Sequence, residues 1–593
     1  MNSETKNCQS CKKDFTIEPD DFAFYQKISV PPPTWCPECR LIRRMSFRNE
    51  RGLHRRICDA TKKGIVSIYR PDAPFTVYAH DYWWSDKWDP MQYGMDYDFS
   101  RPFFEQFKEL MRKTPTIALF DSKSTNSSYC NVTVEHKNCY LSSAGWGNED
   151  SMYMNRTAYC KNAMDLYVCQ KNEFAYENIF CKGSYELFYS DTCEGCNNSA
   201  FLYDCRACSN CFGCVNLRSQ EYCIFNQKYS KEEYAKKLKE FDLGNYATLQ
   251  EIKKKVDELK KTALHKYAQI VKSVNAIGDH LTEARNVYYC FDFMDGAENV
   301  KYSHWSSGVF KDSYDTGPGT GGNSELLYEG VSIGVTNANC KFGFIVWYSQ
   351  NVQYGFNCQS SNNLFGCANM RGKSYCILNK QYSKEAYEAL IPKIIQHMND
   401  MPYVDSKGRV YKYGEFFPPE LSPFPYNDTV AQDFFPLTKA EAQKRGFSYG
   451  DSVERQYKIT KNATELPNHI NDVQETIVNE VIECAHKGAC GEGCTTAFRI
   501  TPTELIFYKK FNLALPRLCF ACRHRARLNQ RTPLKLWHRT CRCAGEASEG
   551  NAYKNTAAHF HAAAHCPNTF ETSYAPDRPE IVYCEQCYQA EVV

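Results

Sequence analysis

The sequence predicts a mainly β protein: a duplicated β-solenoid of about 21 residues per coil, with inserted helices, flanked by terminal zinc ribbons. Three observations predict it. Paired cysteines separated by 24 residues recur near both ends, a central stretch repeats at an offset of 153, and single cysteines beside aromatics recur between the ends. At roughly 150 residues per domain, a chain of 593 residues holds several units.

Composition narrows the class. Lys+Arg is 71 against 69 Asp+Glu, a net charge of +2, so any basic surface is local. The 8 Trp, 41 Tyr and 36 Phe exclude a mainly disordered chain. No apolar run approaches the ~18 residues of a membrane span. The opening Met1-Asn-Ser-Glu-Thr-Lys6 lacks the pattern of a secretion signal. A cytoplasmic location without a membrane partner is therefore expected, and 32 cysteines point to metal and core roles before disulfides.

At the N-terminus Cys8-x-x-Cys11 precedes Cys36-x-x-Cys39. Two such knuckles can meet at one tetrahedral zinc, and Phe15–Ile17 with Phe22–Tyr25 read as the intervening hairpin. A redox CxxC would need only one pair and a βαβ context. Shifting by 483 places Cys11, Cys36 and Cys39 on Cys494, Cys519 and Cys522, and Phe15, Ile17, Pro19, Phe24, Tyr25 and Pro33 on identical residues. The first knuckle of this second ribbon reads Cys490-Gly-Glu-Gly-Cys494. A third ribbon ends in Cys584-Glu-Gln-Cys587, with Cys566 standing before Phe570 as Cys11 stands before Phe15. Its fourth ligand is open among Cys541, Cys543 and the histidines at 559, 561 and 565; Cys543 is preferred and His561 is the alternative. About three zinc ions are expected, one per ribbon.

A basic segment follows each of the first two ribbons. Arg40, Arg44, Arg48 and Arg51 recur at helical spacing beside Arg43, and Arg523, Arg527 and Arg531 repeat the pattern with Arg525 and Arg539 nearby. Guanidinium forks suit phosphate. The plainer reading is a helix face paired to acids elsewhere.

The centre is a repeat. Residues 210–234 match 363–387 at 15 of 25 positions, including Phe212-Gly-Cys214 with Phe365-Gly-Cys367 and Tyr229-Ser-Lys-Glu232 with Tyr382-Ser-Lys-Glu385. Cys139, Cys160 and Cys181 stand 21 and 21 residues apart, which predicts that they lie above one another in a coil stack. Zinc at the central CxxC pairs is disfavoured, because Cys208 and Cys211 become Ser361 and Leu364 in the second copy. A capping box at Ser230 and Glu233 and the stripe Leu249, Ile252, Val256, Leu259 predict helices, as does the stripe Ile470, Val473, Ile477, Val481.

The expected divisions are 1–60, first ribbon with basic helix; 61–125, an aromatic-rich α+β connection; and 126–229, the first solenoid unit. Then come 230–278, a helical hairpin insertion; 279–382, the second solenoid unit; and 383–483, a helix, a Pro/aromatic strap and a linker helix. The ribbons at 484–540 and 541–593 close the chain.

Cys8-Gln-Ser-Cys11-Lys-Lys-Asp-Phe15, Pro31-Pro-Pro-Thr-Trp-Cys36-Pro-Glu-Cys39-Arg40 and the closing run Phe570 to Cys587 resemble bacterial multi-zinc-ribbon proteins with a Cys/Tyr-rich repeat core. The Tyr-Ser-Lys-Glu-Glu-Tyr and Gly-Glu-Phe-Phe-Pro-Pro-Glu-Leu segments extend the resemblance over most of the chain. The resemblance implies the architecture and no mechanism.

No P-loop, HExxH or kinase set is present. The expectation is a non-catalytic zinc protein that binds RNA or a ribonucleoprotein through its arginine-rich helices, with the solenoid as spacer. The rivals are an enzyme or lectin-like binder of a glycan along the solenoid groove, and a scaffold for a protein partner.

Overall fold

A computed structural model describes residues 2–451, 457–490 and 493–593. The chain folds as two compact units, Met1–Asp121 with Ala268–Asp451 and Ser122–Tyr267 with Ser452–Val593. Each contains one β-solenoid and zinc-ribbon-like modules. The fold is mainly β, with the solenoid duplicated, as the sequence predicts.

The coil is shorter than expected. In the solenoid of the second unit Glu173 pairs in parallel with Tyr185, Tyr185 with Asn197, Asn197 with Ser209 and Ser209 with Glu221, a step of 12 residues. Every third residue from Asn126 through Phe225 has a positive φ. The chain is thus a run of triplets with a left-handed corner after each, four triplets to a coil. Cys139, Cys160 and Cys181 are seven triplets apart, so all three are buried in the same triplet phase, but they lie on different sides of the coil and do not stack. Vertical neighbours are instead 12 apart, as in Cys169, Cys181, Cys193 and Cys205.

The triplet explains the composition. The corner N–H bonds back to the coil before and the N–H after each inward-facing residue bonds on to the coil after, as when Asn138 N–H donates to Thr125 O at 3.0 Å and Lys137 N–H to Asn148 O at 2.9 Å. That leaves the N–H of the inward residue unpaired in a dry core, which is costly. The side chain of the inward residue one coil earlier accepts it: Ser127 Oγ from Cys139 N–H, Asn148 Oδ1 from Cys160 N–H, Cys169 Sγ from Cys181 N–H and Ser190 Oγ from Leu202 N–H. Small side chains with an acceptor fill this role, hence the buried Cys, Ser and Asn. Each thiol also donates outward, as Cys181 does to Ile179 O and Ser190 O.

In the first unit burial pushes Cys290, Cys340 and Cys358 up to about 12, so they stay neutral. The acceptor role makes a prediction. Ser190→Ala should cost about 1–3 kcal/mol by stranding the Leu202 N–H, whereas Ser190→Cys keeps an acceptor. Amide exchange at Leu202 in the two variants checks it; equal protection in both would remove the side chain from the ladder.

The solenoid of the first unit has the same design with looser coils. Ala284 pairs with Ala297, Ala297 with Phe310 and Phe310 with Ser324, steps of 13, 13 and 14. From Ala338 the step returns to 12, through Gln350 and Asn362 to Ser374. A register shift at Ile277/Gly278 takes up one extra residue, and a Cβ on Gly278 would sit 1.9 Å from the Cys290 carbonyl oxygen. Both solenoids end alike, in short hairpins pairing Cys223 with Lys228 and Cys376 with Gln381, followed by helices capped by Ser230 and Ser383.

Two local expectations change. Phe22–Tyr25 lies in the helix Pro19–Lys27 instead of a strand, and the metal-knuckle hairpin is formed by Glu4–Asn7 and Asp14–Ile17. The linker helix expected over 465–484 is a series of 3-10 turns, Ile470–Asp472 and Glu475–Asn479, whose Ile470, Val473 and Ile477 are nevertheless buried. The stripe reflected burial, and the short turns serve it equally well. The strap is packed as expected, with Phe416, Phe417 and Phe424 fully buried.

Candidate metal centres

Each ribbon is built the same way. A first cysteine ends a short strand and a second follows it. A third cysteine N-caps a helix, Pro37–Met45, Phe520–Leu528 or Glu585–Val592, whose first turn carries the fourth. The sulfurs of Cys8, Cys11, Cys36 and Cys39 lie within 4.8 Å of one another. With sulfur about 2.3 Å from a tetrahedral zinc, neighbouring sulfurs stand about 3.8 Å apart. Cys11 and Cys36 are 3.7 Å apart, Cys494 and Cys519 3.9 Å, and Cys566 and Cys584 3.9 Å. The spacing suits a metal ion and is far from the ~2.05 Å of a disulfide.

A backbone signature identifies the first ligand in each ribbon. The N–H of the capping cysteine donates to it: Cys36 to Cys8 at 3.2 Å, Cys519 to Cys484 at 3.3 Å and Cys584 to Cys541 at 3.2 Å. The second tetrad is therefore Cys484, Cys494, Cys519 and Cys522, with Cys484 in the place expected for Cys490. Cys490 joins His486 and Cys522 in an adjoining group, its sulfur 3.8 Å from Cys522; residues 491–492 of its knuckle lie outside the described residues. The third tetrad is Cys541, Cys566, Cys584 and Cys587, with Cys541 in place of Cys543. Cys543 and His561 fall in a second group with His559 and Cys587. In each of the first two tetrads, hydrogen bonds between the thiols hold one sulfur, Cys8 or Cys519, far below the usual thiol range and push a partner, Cys39 or Cys522, above it. A metal needs the thiolate form.

Among the described residues, the groups that bring three or more ligand atoms together are all in ribbons, and none includes a solenoid cysteine.

The sequence missed a fourth ribbon. The strands His54–Ile57 and Gly64–Ser67 form the same hairpin, and Cys58 Sγ accepts from Thr61 N–H at 3.3 Å and Ala79 N–H at 3.2 Å. Those are the bonds a first ligand receives, but Thr61 and Ala79 stand where ligands would be. The available signal was Tyr69-Arg-Pro-Asp-Ala-Pro-Phe-Thr-Val-Tyr78 against Tyr574-Ala-Pro-Asp-Arg-Pro-Glu-Ile-Val-Tyr583. Each unit therefore carries two ribbon folds, and in the first unit one has Cys58 in the first-ligand place but Thr61 and Ala79 at the next two.

The arginines that follow the ribbons face inward, which corrects the expected phosphate-facing surface. Arg40 and Arg44 grip Asp315 at 2.8 and 2.9 Å, Arg43 binds Glu329 at 2.9 Å and Glu415 at 3.0 Å, and all of these side chains are buried. Burial alone would lower Arg40, but the groups facing it, Asp315 first with Tyr25 and Tyr328 behind it, together raise it well above the usual range. Arg48, beyond the end of the helix, pairs with Glu50 at 2.7 Å. The second ribbon repeats this: Arg523 and Arg527 grip Asp165 at 2.9 and 2.7 Å. Arg40 and Arg523 each donate to the carbonyl five residues back and lie over a solenoid tyrosine, Tyr302 and Tyr153. One aspartate at a left-handed corner of each solenoid thus clamps two arginines of its ribbon helix.

The remaining predicted arginines are half-buried. Arg51 lies 3.9 Å from Asp433, Arg531 donates to Tyr167 Oη at 2.8 Å and Arg539 to the Tyr574 and Ala575 carbonyls at 3.3 and 3.2 Å; Arg525 sits on the partly exposed side of its helix. Trp35 and Phe47 are core, with the Arg43 guanidinium 4.3 Å from the Trp35 ring centre.

Neither a protein-family model nor a curated protein matches the chain. No helix among the described residues is long and apolar enough to cross a membrane.

Proposed function

We propose that this chain is a non-catalytic zinc-dependent scaffold, in which ribbons held by zinc fasten arginine helices onto solenoid walls and the walls receive a protein partner. The observation that carries the reading is the commitment of Arg40, Arg43, Arg44, Arg523 and Arg527 to buried solenoid carboxylates. Phosphate would have to displace those carboxylates and strand them. The walls also pair their own charges: Lys137 and Lys161 flank Glu149 at 2.6 and 3.4 Å, and Arg206 meets Glu194 at 2.8 Å. In these pairs acid offsets base, unlike the clustered Lys/Arg of a nucleic-acid footprint. Acids that could have served chemistry are engaged, Asp204 by Arg218 at 3.2 Å and Asp292 by His304 at 3.1 Å.

The test is purification under reducing, chelator-free conditions with and without nuclease. The reading expects zinc at a minimum of three ions per chain, from the three tetrathiolate groups, and a protein-type ultraviolet ratio that nuclease leaves unchanged. Bound RNA that is released by salt with a slope of several phosphate contacts would overturn it in favour of a ribonucleoprotein partner.

A further inference from the structure

The C-terminal ribbon brings together more ligands than one zinc can use. Cys541, Cys566, Cys584 and Cys587 form one group, and Cys543, His559, His561 and Cys587 form another, with Cys587 common to both. We propose that this ribbon holds two metal ions of the zinc class bridged by the Cys587 thiolate, one in an all-sulfur site and one in a site of two sulfurs and two imidazoles. The proposal rests on the zinc reading above and extends it.

The distances fit. With Zn–S about 2.3 Å and Zn–N about 2.0 Å, a tetrahedral edge between nitrogen and sulfur is about 3.5 Å. His561 Nε2 stands 3.3 Å from Cys587 Sγ and His559 Nδ1 3.7 Å from Cys543 Sγ.

The second observation is independent of the sulfurs. A histidine that ligates a metal through one nitrogen holds its ring by donating the other N–H to a carboxylate or a carbonyl. His559 directs Nδ1 at the group and pairs Nε2 with Glu591 Oε1 at 2.9 Å, both side chains being 1% exposed or less. His561 directs Nε2 at the group and pairs Nδ1 with the Ala564 carbonyl at 2.7 Å. Each ring is fixed in the tautomer that leaves a lone pair facing Cys543 and Cys587.

Charge favours sharing. A single zinc with four thiolates carries a net charge of −2 and leaves a fifth buried sulfur, Cys543, beside it. Two zincs with five thiolates and two neutral imidazoles carry −1. Side-chain amides moderate what remains: Asn555 Nδ2 donates to Cys543 Sγ at 3.2 Å and Asn568 Nδ2 to Cys584 Sγ at 3.3 Å. The sequence could not show the pairing, since Cys541 and Cys543 compete for one place when a single metal is assumed.

Native mass spectrometry and elemental analysis of the intact chain test this. The His559→Gln/His561→Gln variant should hold one metal fewer than the unaltered chain, and Cys196→Ser in the solenoid should hold the same number. Glu591→Gln, which leaves every ligand in place, should weaken one metal by about 10–100-fold in a chelator titration. With cobalt(II), the unaltered chain should show exchange coupling between two ions that the histidine variant loses. Equal metal content and no coupling change in the histidine variant would overturn the bridged pair. If Cys566→Ser still removes one metal in that case, the all-sulfur site stands alone; if no ribbon cysteine variant alters the metal content, the zinc reading itself fails.

Discussion

Replacing Asp165 by alanine should destabilise the second unit by about 3–5 kcal/mol, because it leaves two guanidinium groups buried without a counter-charge. Arg523 and Arg527 both reach this one carboxylate, and Asp165 is fully buried. Asp315→Ala should act in the same direction but more weakly on the first unit, where Arg40 and Arg44 share it and Glu329 remains 3.8 and 3.2 Å from them. By the same physics, charge reversal at Arg44, Arg48, Arg527 and Arg531 should unfold the ribbon–solenoid contacts, where a solvated arginine face would have left folding intact. Thermal scanning with limited proteolysis measures this. A melting temperature within 1–2 °C of the unaltered chain, on the order expected for surface changes, would show that the clamps are dispensable.

Removal of metal should have the other large effect. A structural zinc contributes an apparent ~10–16 kcal/mol of binding free energy at neutral pH. Each tetrathiolate group ties a hairpin to the start of a helix, and little else fixes the short strands Glu4–Asn7 and Asp14–Ile17. Chelation under reducing conditions should therefore raise amide exchange across 4–45 and 484–528 and release the arginine helices. The solenoid ladders should stay protected, because their hydrogen bonds run coil to coil. Uniform exchange across ribbon and solenoid after chelation would mean that the metals hold the entire fold; unchanged exchange in the ribbons would mean that they hold none of it.

The ribbons were legible because a tetrathiolate site needs cysteines at fixed spacings, a pattern that few other roles impose. The identity of the fourth ligand was not, since Cys484 and Cys490, like Cys541 and Cys543, sit a few residues apart and only the N–H to sulfur bond separates them. The solenoid was legible as a repeat but not in its period. The triplet tolerates Cys, Ser, Asn, Ala or Leu at each inward position, so identity at the 12-residue step is weak. Chance matches seven triplets apart, at Cys139, Cys160 and Cys181, were louder. The partners of the arginines were hidden by distance: Asp165 is 358 residues from Arg523 in sequence. The vestigial ribbon at 54–83 was hidden by its own loss of ligands, with Thr61 and Ala79 in their places.

The corner at every third residue makes the solenoid behave like text read in a three-letter frame. Losing one residue would turn each following lysine, tyrosine or glutamate toward the axis and each acceptor toward water, as far as the next correction. Losing three would preserve that phase but rotate every later wall by a quarter turn. Only twelve would restore both, shortening the stack by one layer of about 4.8 Å. The first unit shows how a misprint is contained: its coils run to 13 and 14 residues and then return to 12, and at Ile277/Gly278 the step passes from 11 to 12, where any side chain on the glycine would strike the Cys290 carbonyl oxygen. Length in such a protein is inherited in quanta, and a glycine marks a place where the count was allowed to slip.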